Sequence, residues 1–94
     1  PDAALKRLQR FLDFRSDEPR VYELLARAAA DQGKVAQGHE YMAEYYYQTG
    51  DLKGAIMQLE IALKRSELNF YDIAKLESRL AKFKAERDEE DRGR

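Results

Sequence analysis

Apolar residues along this chain recur every three or four positions and nowhere alternate strictly with polar ones. That period puts them on one face of an α-helix rather than a strand. Five helical segments follow. The first covers about residues 3–15, with Leu5, Leu8, Phe11 and Leu12 on one face. Ser16-Asp17-Glu18-Pro19 stops it, because the residue before a proline disfavours α geometry. Pro19 then suits the start of a second helix, where its missing N–H costs nothing. That helix carries Tyr22, Leu25, Ala26 and Ala29 to about Gln32, and Gly33 is its C-cap candidate. A third helix runs from about Val35 to Thr49 and is broken at Gly50-Asp51. The fourth runs from about Leu52 to Arg65, with Leu52, Ala55, Ile56, Leu59, Ala62 and Leu63 at helical spacing. Ser66 to Asn69 form a turn, and Asn69 can cap the fifth helix. The fifth begins near Phe70 and shows Ile73, Leu76, Leu80 and Phe83 as a stripe. Beyond Lys84 the stripe is lost in a charged run, so residues 86–94 are expected to fray as a tail outside a domain spanning 1–85.

The expected fold class is therefore all-α. Its punctuation adds a period. Gly33-Lys34 and Gly50-Asp51 lie 17 residues apart (50 − 33), half of the ~34-residue tetratricopeptide repeat. The third and fourth helices fit one such repeat. Met42, Ala43 and Tyr46 fall at the packing positions of its first helix, and Ala55, Leu59 and Ala62 at those of its second. Small residues at a crossing let two helices approach, and large ones fill the space around them. The second helix also fits the first-helix pattern, with Tyr22, Leu25, Ala26, Ala29 and Gly33, so the phase stays open. The expected architecture is a tetratricopeptide-like α-solenoid of five antiparallel helices. The fifth helix acts as a cap, since an end helix needs one polar face.

Charge narrows the functional classes. Lys and Arg number 17 against 18 Asp and Glu. That balance lacks the basic excess of a nucleic-acid module, and it suits helices laced with mixed charge. Without cysteine, thiolate zinc sites, disulfides and cysteine nucleophiles are excluded. No apolar stretch approaches the ~20 residues of a membrane span. The chain starts at Pro1, and a piece of a longer protein is the expected reading. One histidine, no cysteine, no glycine-rich phosphate loop and no GxSxG leave no standard catalytic set, so this piece is not expected to be an enzyme.

Three blocks carry a more specific likeness: His39-Glu40-Tyr41-Met42-Ala43-Glu44-Tyr45-Tyr46-Tyr47 leading into Gly50-Asp51-Leu52, then Ala55 to Leu63, then Asn69-Phe70-Tyr71 with Leu76-Glu77-Ser78-Arg79-Leu80. With Tyr22 to Ala28, they resemble the C-terminal tetratricopeptide region of bacterial periplasmic zinc metalloproteases of the beta-barrel assembly-enhancing type, over about residues 19–83. The resemblance implies a parent with an N-terminal HExxH zinc protease domain, acting in the periplasm on misfolded or stalled outer-membrane proteins. The repeat region would bind substrates or the barrel-assembly machinery, or cover the parent's own protease domain. No HExxH motif occurs in this chain, so no zinc ligand or catalytic residue carries over. Zinc would belong to the parent's protease domain, and no cofactor is expected here.

Candidate binding residues depend on the phase. In tetratricopeptide arrays the first helix of each repeat lines the ligand groove. Gln37, Glu40, Glu44, Tyr47 and Gln48 line it if the third helix takes that role, and Arg20, Glu23, Arg27 and Asp31 if the second does. Against this stands the plain reading of solvated polar positions. Of the tyrosines, Tyr41, Tyr45 and Tyr46 read as packing, whereas Tyr47 is the candidate for exposure, where an aromatic anchors a partner. His39 has only Glu40 and Glu44 as nearby co-ligands, short of a catalytic zinc set, and reads as a packing residue. The leading expectation is a non-catalytic protein-binding domain for peptide segments or a partner protein. The alternative is a freestanding adaptor or oligomerisation module whose end helices pair with another copy.

Overall fold

A computed structural model describes residues 17–93. Among the described residues the chain is all-α and forms four helices: α1 (Pro19–Asp31), α2 (Val35–Gln48), α3 (Leu52–Leu63) and α4 (Phe70–Arg92). They correspond to the second to fifth predicted helices; the segment at residues 3–15 lies outside the described residues. The one large difference in bounds is at the end. The helix does not stop where its apolar stripe does but continues through the charged run to Arg92, where a frayed tail was expected.

Local chemistry sets the other ends. Pro19 occupies the first turn of α1. Gly33 and Gly50 both have positive φ, 74° and 88°. Each closes a Schellman motif. Lys34 N–H donates to the Ala29 carbonyl at 2.9 Å and Gly33 N–H to Ala30 at 3.0 Å. Asp51 N–H likewise donates to Tyr46 at 2.8 Å and Gly50 N–H to Tyr47 at 3.2 Å. Asp51 then caps α3 by accepting from Gly54 N–H at 2.9 Å. Asn69 and Asp72 form a reciprocal capping box at the start of α4.

The α1–α2 and α2–α3 connections are three residues long (32–34 and 49–51), which turns each helix back along its predecessor. Among the described residues, extensive helix–helix contact runs only between chain neighbours. Leu25, Ala26 and Ala29 of α1 meet Tyr41 of α2 in one cluster. A second joins Ala43 of α2, Ala55, Ile56, Leu59 and Ala62 of α3, and Leu76 and Phe83 of α4. Alanine at the α2–α3 crossing lets the backbones close, as the sequence pattern predicts.

A left-handed backbone strains any residue with a Cβ by about 1–2 kcal/mol. A Cβ at Gly50 would meet nothing within 4 Å, so that conformational cost stands alone. Gly50→Ala is therefore expected to lower stability by about 1–2 kcal/mol, seen as a lower urea midpoint with unchanged slope. An unchanged midpoint would contradict this.

Candidate functional site: a charged seam between α2 and α4

α3 connects α2 to α4, and two reversals bring those helices parallel. Their side chains meet in register. Lys75 Nζ lies 3.3 Å from Glu40 Oε2. One turn on, Arg79 grips Glu44 through both carboxylate oxygens, Nε to Oε1 and Nη2 to Oε2, each at 2.8 Å. Both pairs are 35 residues apart (75 − 40 and 79 − 44). The bidentate fork fixes orientation as well as charge. Next, the Tyr47 ring stacks on Phe83, centroids 4.5 Å apart and 14° from parallel. Its hydroxyl donates to Glu86 at 2.9 Å. That bond, with burial, pushes the Tyr47 phenol above its ordinary value. Arg79 also lies over the Phe83 ring, 4.7 Å from its centroid.

At the other end, α2 has no side-chain cap of its own. The carboxylate of Glu67, on the α3–α4 connection, accepts from Ala36 N–H at 3.3 Å. Arg65 Nε donates to the same carboxylate at 2.9 Å, and this bond holds the Glu67 carboxyl below its ordinary value. Here the seam opens into a cleft of about 610 Å³. Gln37 and Glu40 line it from α2, Asp72, Lys75 and Leu76 from α4, and Arg65, Glu67 and Leu68 from the connection. Its walls alternate cation and carboxylate over an apolar floor, which suits a backbone or polar side chains better than a purely apolar ligand.

The predicted groove residues thus divide. Gln37 and Glu40 face the cleft, Glu44 is bound by Arg79, and Tyr47 and Gln48 border a smaller hollow beside Glu86. Tyr47 was expected to be free for a partner; it is half-buried and committed to Phe83 and Glu86. Gln37 donates from Nε2 to the Tyr41 hydroxyl at 3.1 Å. Arg20, Glu23 and Arg27 are exposed on α1 and border neither hollow. His39 is half-buried, its Nδ1 2.7 Å from Gln58 Oε1, which ties α2 to α3. Sequence reasoning missed Lys75 and Arg79. A signal existed: two cations four residues apart stand 35 residues after two carboxylates four residues apart, one repeat length away.

No family model, curated protein or solved structure matches the chain significantly.

The seam has a pH signature. Burial pushes the Glu40 carboxyl above its ordinary 4.5, with Lys75 pulling the other way. Burial would lower the Lys75 ammonium, but attraction to Glu40 and the hydrogen bond it donates to that carboxylate carry it above 10.5. A carboxyl raised on folding contributes stability below its unfolded value, and that contribution is lost as pH rises through the folded value. Lys75→Met removes the compensating charge, so Glu40 rises further. Stability at pH 7 should fall by about 0.5–1 kcal/mol, the small figure reflecting the solvent-exposed Lys75 side chain. Acidification through the carboxylate range should recover more stability in Lys75→Met than in the wild type. Adding Glu40→Gln should abolish that excess. Urea melts across pH check this, and parallel profiles for all three proteins would mean the pair is idle.

Proposed function

We propose that the chain is a non-catalytic tetratricopeptide-type protein-binding domain whose cleft between α2 and α4 receives a segment of a partner protein. The observation that carries this reading is the 35-residue register of the α2–α4 seam. Together with the two Schellman turns 17 residues apart, it matches the period of a tetratricopeptide array. In such an array, contact between α2 and α4 across α3 makes α2 and α4 the groove-lining helices. That phase favours Gln37, Glu40, Glu44 and Gln48 over Arg20, Glu23 and Arg27. The resemblance in the tyrosine-rich and Leu76–Leu80 blocks extends the proposal to a parent protein: a periplasmic zinc metalloprotease of outer-membrane protein quality control. The partner is then an outer-membrane protein, the barrel-assembly machinery or the parent's own protease domain, and zinc belongs to that domain.

Photo-crosslinking tests the cleft. A photoreactive residue at Gln37, on the cleft wall, is compared with one at Glu23, outside it. An unfolded outer-membrane β-barrel protein is the probe. Crosslinking from position 37 that exceeds position 23 several-fold, and that is competed by unlabelled barrel protein, supports the reading. Equal yields from both positions would sink it.

A further inference from the structure

The far end of the seam opens into the second hollow, of about 310 Å³, bordered by Tyr47 and Gln48 of α2, by Gly50 and Leu52 at the next turn, and by Glu86 and Glu90 of α4. It is at the bottom of the ~300–1,000 Å³ range of small-ligand sites, with room for one long side chain. Oε1 of the Glu86 carboxylate accepts from the Tyr47 hydroxyl. Oε2 is withdrawn from solvent, and no donor among the described residues reaches it. A buried carboxylate oxygen without a donor is costly, and native folds seldom keep one. Glu90 follows one turn later on α4 and pairs with no cation among the described residues. Like charges four residues apart on a helix also repel. The chain's own cations on this part of α4 are engaged elsewhere. Lys84 pairs with Glu60 and Arg87 with Asp88, while the Lys82 ammonium lies over the Tyr47 ring, 5.7 Å from its centroid.

We propose that this hollow receives the guanidinium of an arginine side chain presented by a partner protein. Glu86 and Glu90 put two carboxylates on adjacent turns at its border, and Glu86 Oε2 is an acceptor that the described chain leaves without a donor. A planar fork of five N–H donors serves two carboxylates at once, which the point charge of an ammonium does less well. Tyr47 and Leu52 form the apolar part of the border, suited to the plane of the guanidinium and to its methylene stem. Ion pairs in an open hollow are screened, so a single arginine should bind weakly, with a dissociation constant of about 1–10 mM. The proposal does not rest on the cleft reading. Gln37 in the cleft and Gln48 in the hollow are 11 residues apart (48 − 37), about 16 Å along α2.

The test is an NMR titration of the whole isotope-labelled chain at constant ionic strength, which holds screening fixed. The probe is N-acetyl-arginine amide, and its neutral isostere N-acetyl-citrulline amide is the control. The expected result is a saturable shift of the Gln48, Gly50 and Glu90 amides by the arginine probe at about 1–10 mM, and none by citrulline. Glu86→Gln keeps an acceptor for the Tyr47 hydroxyl but removes the charge, and should weaken binding at least fivefold. Glu90→Gln, at an exposed position, should weaken it several-fold, and unchanged spectra elsewhere confirm that each variant folds. N-acetyl-lysine amide should bind several-fold more weakly than the arginine probe. A capped Ala-Arg-Ala peptide should bind at least as tightly as the single residue, as a side chain presented by a protein requires. Equal shifts from citrulline, undiminished binding in both variants, or a lysine probe as tight as arginine would each overturn the proposal. So would calcium ions that bind the same amides more tightly, or a peptide that fails where the single residue binds, which would assign the hollow to free guanidinium compounds.

Discussion

Truncating Phe83 to alanine is expected to remove about 3–5 kcal/mol of stability. The side chain is fully buried. Its ring lies in the second core cluster, under the stacked ring of Tyr47 and the guanidinium of Arg79. Removing it leaves a cavity and strands Tyr47 and Arg79 without their platform. A small domain has only about 5–15 kcal/mol in total. The loss should therefore be visible as a collapse of the urea midpoint and as loss of amide protection along α4. Phe83→Leu retains most of the volume and is expected to cost less than about 1.5 kcal/mol if the core repacks. The contrast separates lost volume from lost stacking. A Phe83→Ala cost under about 1 kcal/mol would show that the ring does not anchor α4 in the core.

Leu25→Ala, in the first of the described helices, is expected to cost about 2–5 kcal/mol. Leu25 is fully buried in the separate cluster that joins α1 to Tyr41 of α2. Because α1 packs extensively on α2 alone among the described residues, the damage should stay local, as in a chain of nearest-neighbour interfaces. Hydrogen exchange should show α1 amides losing protection while those around Leu76 and Phe83 keep theirs. The two truncations share no partner, so the double variant should be additive within about 0.5 kcal/mol. Equal loss of protection in α4 on truncating Leu25 would mean that the four helices unfold as one unit, contrary to this expectation.

The contrast between these helices marks what could be read from the chain. Helix ends were legible wherever a single turn decides them. Pro19 starts a helix because it needs no N–H partner, Gly33 and Gly50 end helices because only glycine takes a positive φ without strain, and Asn69 caps because its side chain reaches the first turn. The alanine and leucine positions of α3 were legible because burial at a crossing selects size and period together. The C-terminus of α4 was not. Its stripe stops, yet Glu, Arg and Ala sustain a helix by their own propensity, and Tyr47 holds Glu86 from outside. Nor was the role of Tyr47. Periodicity distributes four tyrosines of α2 over several faces, and which one is covered depends on Phe83, 36 residues away (83 − 47). By itself, then, the sequence determined the all-α class, the turn positions and the small-residue crossing, because these are settled within a turn or by side-chain size. Only the tertiary structure decided that Glu40 and Glu44 meet Lys75 and Arg79, because a charge on a helix has no assigned partner until α3 reverses the chain twice and brings α4 alongside α2.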